Sequence, residues 1–232
     1  MKLYSYWRSS SAYRVRIALA WKGVAYDYVA VNIAPGRDEQ LAPGFERVNG
    51  ARRVPVLELD GEPTERLSES VAIVELLEQL FPEPALFPPA ALQRAWVREA
   101  VELVNSAMQP LQNLSVLHAV KRLAPDASSK EWARSWLSRG FEQLERLAAR
   151  RGGAFSVGDT PTAADVFLVP QLYAARRFEL PLAAYPRLGA IEARCLELEA
   201  FRRAHPDVQP DAPTPPAASA APQKPASEGR TT

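Results

Sequence analysis

Short apolar runs and helical stripes alternate along the first third of the chain. Lys2 to Trp7 has the character of a strand, and Tyr13, Ile17 and Trp21 recur every four residues, so Tyr13 to Trp21 predicts a helix. Gly23 ends it. Tyr26 to Asn32, rich in aromatic and β-branched residues, predicts a second strand. An irregular stretch with Pro35, Gly36, Pro43 and Gly44 follows, with room for one short helix around Asp38 to Leu41. Val54 to Leu59 predicts a third strand, Asp60-Gly61 a turn, and Arg66-Leu67 a short fourth strand. Ser68-Glu69-Ser70 then stands as a cap before a strong amphipathic helix, with Ile73, Val74, Leu77, Leu80 and Phe81 on one face. The order β-α-β followed by β-β-α demands one parallel crossover and one antiparallel return. It predicts an α/β, thioredoxin-like N-terminal domain over residues 1–81.

Four prolines between Pro82 and Pro89 predict a linker over 82–90. Every periodic segment after it is helical, which predicts an all-α C-terminal domain over residues 91–206. Val97, Val101, Val104 and Met108 mark one helix face, and Trp136, Gly140, Leu144 and Leu147 another; Gly140 invites a close neighbour. Thr162 to Asp165 reads as a capping box. The helix it opens is apolar nearly all round, so it should be the core of the second domain, with Pro170 as a kink. Residues 207–232 are rich in Pro, Ala and Ser without one aromatic, a composition that predicts a disordered tail.

Composition narrows the chemistry. The 232 residues are 47% hydrophobic and 24% charged with a net charge of +1, as in an ordinary soluble protein, so no general attraction to nucleic acid or an anionic membrane is expected. No signal peptide or membrane span is expected, and the cytosol is the expected compartment. Cys195 is the single cysteine, set at helical spacing with Leu188, Ile191 and Leu198, and reads as a buried thiol. His118 and His205 form no metal-type pair, and no metal is expected.

One cluster does change the picture. Ser9, Ser10 and Ser11 stand between Arg8 and Arg14 at the mouth of the first helix. One serine suffices for an N-cap. Three, flanked by guanidinium groups, also suit a small anion or thiolate at the positive end of a helix. Both readings stay open on spacing alone.

The stretch "YSYWRSSSAYRVRIALAWKG" resembles the serine-rich signature of the zeta-class glutathione transferases, and "QPLQNLSVL" from Gln109 to Leu117 is similar to the same class almost letter for letter. "VGDTPTAADVFLVPQLYAARRF" and "LEAFRRAHPDVQPD", the latter running from Leu198 to Asp211, continue the likeness. The departures are Ser11 where the class usually has cysteine, Glu69 where glutamine is common, Gly50 where proline is usual, and a hairpin two residues longer.

The resemblance implies the cytosolic glutathione transferase fold and glutathione as cofactor. Ser9, with Ser10 and Ser11, would hold and activate the thiolate. Arg14, Gln40, Val54, Pro55, Glu69, Ser70, Gln109, Asn113 and Ser115 would bind the rest of the tripeptide. Val54 would do so through a cis-proline turn that exposes its peptide groups, and Ser70 at a helix N-terminus. Arg8, Arg176 and Arg177 would take the carboxylates of a dianionic substrate. The implied reaction is cis–trans isomerisation of maleylacetoacetate to fumarylacetoacetate in tyrosine and phenylalanine catabolism, by a homodimer. Maleylpyruvate isomerisation, transfer to α-haloacids and a non-catalytic binding module are the alternatives. Leu114, about where maleylpyruvate enzymes place an arginine, leans toward the longer acid.

Overall fold

A computed structural model of the chain describes residues 1–214. Its first domain is a four-stranded mixed sheet in the order β2-β1-β3-β4. Here β1 is Lys2–Ser5, β2 Asp27–Ala30, β3 Val56–Glu58 and β4 Arg66–Ser68. β1 runs parallel to β2 and antiparallel to β3, and β4 returns antiparallel on β3. This is the crossover and hairpin expected from the pattern. Helix α1, Ser10–Trp21, makes the crossover, α2, Pro43–Glu46, is a single turn, and α3, Ser70–Leu80, follows β4. A 3-10 turn at Glu39–Leu41 occupies the place of the expected short helix, and α2 was not expected.

β1, β2 and β3 are shorter than their patterns, and β4 runs one residue past Leu67. β3 starts at Val56 because Pro55 before it has no N–H to give the ladder. α1 starts three residues before its first apolar marker, since Ser9 is its cap and its first turn is partly polar. The apolar stripe marks the buried face of a helix, not its beginning.

Beyond the proline-rich connection come α4, Ala91–Asn105, α5, Leu114–Leu123, α6, Ser129–Arg151, α7, Ala163–Arg177, α8, Pro186–Glu197, and α9, Glu199–Ala204. α7 is buried at every position from Ala163 to Leu172 and packs on both α1 and α4. Pro170 lies inside it. Its start is the expected capping box: Asp165 accepts the Thr162 amide at 2.8 Å and the Ser156 amide at 2.9 Å. The buried face of α6 is Ala133, Leu137, Gly140, Phe141, Leu144 and Leu147. Trp136 stands beside that face, half-buried, with its ring edge-on to Trp132. Cys195 is fully buried, and burial pushes the pKa of its thiol up.

The expected tail does not begin at residue 207. Pro206–Val208 forms a 3-10 turn, Gln209 is buried, and Asp211 bonds to the first domain. Burial and specific hydrogen bonds repay the ordering that composition alone could not. The rest of that expectation, residues 215–232, lies outside the described residues. No helix among the described residues is long and apolar enough to cross a membrane.

Candidate functional site

The turn from β1 into α1 opens into a 560 Å³ cleft between the two domains. Ser9 is the N-cap of α1 and accepts the Ala12 amide at its hydroxyl oxygen, 3.2 Å away. That bond uses a lone pair and leaves the hydroxyl proton free to donate into the cleft. Ser10 and Ser11 begin the helix and line the same wall. The positive end of the α1 dipole adds to the attraction for an anion there.

A second helix start faces the first. Glu69, at φ 70°, turns the chain from β4 into α3, and no side chain caps α3. The expected serine cap is therefore absent, and the first amides of the helix carry no side-chain acceptor. Ser70 is buried and accepts from the Arg14 guanidinium at 3.1 Å, which orients its own proton elsewhere. Glu69 is exposed in the wall beside it.

Arg14 itself does not line the cleft. Its side chain is fully buried, bonded to Ser70 Oγ and to Asn105 Oδ1 at 3.1 Å, and its guanidinium lies over the Phe167 ring. Burial lowers its pKa to about 9, with the charge of Glu69 opposing. The expectation of a direct cofactor contact is corrected: one turn into α1, the side chain points at the domain junction and supports Ser70 from behind. Arg176 is corrected likewise. It leaves the last turn of α7 on the far side and makes a two-pronged pair with buried Glu192 at 2.5–2.6 Å. That bond holds its pKa above the usual arginine value.

Arg8 and Arg177 do meet in the cleft wall. Arg177 has its pKa lowered, first by the protein packed around it and next by the charge of Arg8. No ion pair among the described residues engages either guanidinium. Two uncompensated cations this close call for an anion between them.

Val54, Pro55, Gln40, Gln109, Asn113 and Ser115 all border the cleft. The Val54–Pro55 peptide is cis, and Val54 lies just outside the β1–β3 register. The Oε1 of Gln40 is buried without a partner, as are both amide atoms of Gln112. Buried polar groups ordinarily have partners. The amide, hydroxyl and guanidinium groups of the residues that border the cleft are the polar set that a γ-Glu-Cys-Gly chain needs. Gln112 was not singled out from the sequence, although it lies in the same stretch as Gln109 and Asn113. His118 and Phe178 also border the cleft and were missed. His118 carried a signal, since it follows Leu114 by one helical turn.

The chain matches the glutathione S-transferase N-terminal domain model over residues 3–85 and the C-terminal domain model over residues 94–194. The maleylacetoacetate isomerase of Pseudomonas aeruginosa is 42% identical over 214 residues, covering 92% of this chain and 99% of that protein. A crystal structure of maleylacetoacetate isomerase from Anaeromyxobacter dehalogenans with bound glutathione is 49% identical with a TM-score of 0.84, covering 91% and 97%. The holo structure of a maleylpyruvate isomerase, described as a bacterial zeta-class glutathione transferase, is 41% identical with a TM-score of 0.86, covering 92% and 100%. With a thioredoxin-like half, a helical half and a hydroxyl-lined cleft between them, the chain belongs to the glutathione transferase family, in its zeta class.

Proposed function

We propose that this enzyme isomerises maleylacetoacetate to fumarylacetoacetate with glutathione as an unconsumed cofactor. The observation that carries the reading is the pair of unpaired guanidinium groups, Arg8 and Arg177, in the same cleft wall as the Ser9 hydroxyl. When bound, glutathione supplies a thiolate that adds to the cis double bond, leaves a single bond free to rotate, and departs to give the trans acid. The Ser9 hydroxyl donates a hydrogen bond to the sulfur and, with the α1 dipole, favours the ionised form. Ser10 and Ser11 shape the rest of that mouth. Ser70 and the free amides of α3 take the γ-glutamyl carboxylate, Glu69 its ammonium, and Val54 pairs with the cysteinyl main chain. Gln40, Gln109, Gln112, Asn113 and Ser115 are amide and hydroxyl partners for the remaining polar groups. Arg8 and Arg177 hold the substrate carboxylates and stabilise charge that develops toward them.

The test uses Arg8→Met and Arg177→Met, each assayed with maleylacetone and with an uncharged aryl halide. Loss of a charge-assisted partner is expected to cost about 1.5–3 kcal/mol, or roughly 10- to 150-fold in kcat/KM, on the dianion only. Equal losses on both substrates would make the arginines structural and overturn the reading. A maleylpyruvate isomerase remains the second reading, favoured by the solved relative of that name. Leu114, which borders the cleft, supports the longer acid. A higher kcat/KM on maleylpyruvate than on maleylacetoacetate would decide for the shorter one. The reading includes a two-fold homodimer, the commonest closed assembly, and a cytosolic setting, where thiols are kept reduced.

A further inference from the structure

The stretch from Leu198 to Asp211 borders no part of the cleft, yet it ends against the turn that carries Arg8 and Ser9. After α9 and the 3-10 turn, Gln209 donates to the carbonyls of Arg203 and His205 at 2.9 and 2.8 Å, which fixes the path of the strap. Asp207 accepts the Tyr173 hydroxyl at 2.9 Å. Asp211 then reaches the first domain. One carboxylate oxygen accepts the Trp7 amide at 3.0 Å and the other accepts the Tyr28 hydroxyl at 2.6 Å.

The other polar group of Trp7 is held from inside. Its carbonyl accepts from Arg16 at 2.9 Å. The same guanidinium donates to the Tyr6 carbonyl at 3.3 Å, to Ser5 Oγ at 3.1 Å and to the Ala204 carbonyl at 3.0 Å. Arg16 is fully buried, and all four of these acceptors are neutral. Asp211 is an acid whose charge works against the desolvation of this cation. The main chain of Trp7 thus has a cation on its carbonyl and an anion on its amide. Arg8 and Ser9 follow immediately, and the Ser9 amide donates to the Tyr6 carbonyl at 3.0 Å.

We propose that Arg16 and Asp211 clamp the Trp7 backbone between opposite charges, and that Asp211 is thereby a positioning residue for the Ser9 hydroxyl and the Arg8 guanidinium. Hydrogen bonds to charged groups are the stronger kind. A misplacement of about 1 Å at a reacting group can cost on the order of 10²-fold in rate. A carboxylate from the far end of the chain is an economical way to hold such a turn, because β1 has already ended at Ser5. The proposal rests on the reading of Ser9 as the donor to sulfur.

The test compares Asp211→Ala, which removes both bonds, with Asp211→Asn, which keeps the shape and one acceptor oxygen. Amide hydrogen exchange of the ligand-free protein is read across residues 6–9, and the ionisation of bound glutathione is read by thiolate absorbance against pH. In Asp211→Ala, exchange at Trp7 and Ser9 should quicken about tenfold, the bound thiol pKa should rise by about one unit, and kcat on maleylacetone should fall about tenfold. KM for glutathione should stay within about threefold, because the contacts assigned to Ser70, Glu69 and Val54 are untouched. Asp211→Asn should fall between, and it alone decides if the alanine variant does not fold. In a Ser9→Ala background the Asp211 substitution should add less than about twofold, since coupled residues are not additive. An unchanged thiolate titration in Asp211→Ala, or losses that multiply with those of Ser9→Ala, would overturn the positioning role. An unchanged titration in Ser9→Ala itself would overturn the Ser9 assignment, and this proposal with it.

Discussion

At Ser9, capping and chemistry draw on different parts of one hydroxyl: a lone pair serves the Ala12 amide and the proton stays available. Ser9→Ala should therefore lower turnover on maleylacetone by roughly 10²-fold or more, the usual cost of losing a stabilising donor at a reacting atom. The loss of the cap should cost only about 1 kcal/mol. Steady-state kinetics beside a thermal melt separates the two, and near-wild-type turnover in a folded variant would shift the role to Ser10 or Ser11. The Ser9 cluster stood out in the sequence because a serine triplet beside arginines is more than a cap requires. Arg14 and Arg176 were not legible in the same way. Both are arginines next to site residues, but their side chains leave the backbone toward Ser70 and Glu192, and the sequence holds no record of that direction. Where a side chain points depends on the partners the fold brings near: Asn105 lies 91 residues beyond Arg14, and Glu192 lies on the helix after that of Arg176.

The helices were legible by their stripes, and their ends less so. α3 was expected to carry a serine cap, and its start is instead a residue at positive φ with uncapped amides. Propensity favours the capped form; in the proposed function the uncapped amides are left for the γ-glutamyl carboxylate. Gly140 illustrates the opposite case, in which a sequence signal survived intact. A Cβ built there would lie 2.2 Å from the Met108 Cγ, and Met108 is fully buried. Gly140→Ala should destabilise the second domain by about 1–3 kcal/mol through overpacking, read from urea unfolding midpoints. Combined with Met108→Ala, the loss should be smaller than the sum of the two single losses, because the two positions share one space. A neutral Gly140→Ala would mean that the Met108 side chain yields freely. The strands were placed correctly, and the first three were drawn too long because apolar character runs past the last ladder bond.

On the scale of the whole chain, the order of elements was enough to give two domains and a sheet of the right topology. The strap at residues 206–212 was not, because its composition is that of a disordered segment and its order comes from partners in the first domain. The assembly also belongs to this scale. Light scattering at micromolar concentration should report about twice the 25.6 kDa chain mass. A monomer would remove the homodimer from the proposed reading. The bonds from Asp211 to Trp7 and Tyr28 span 204 and 183 residues of sequence. During synthesis the carboxylate that grips the turn bearing Arg8 and Ser9 follows Trp7 by 204 residues. A nascent chain can therefore build its sheet, and even its first domain, before that turn is pinned. Under the proposed clamp, the Ser9 turn reaches its final placement only once Asp211 has been made, so a product released before that point would hold the thiol in a looser turn.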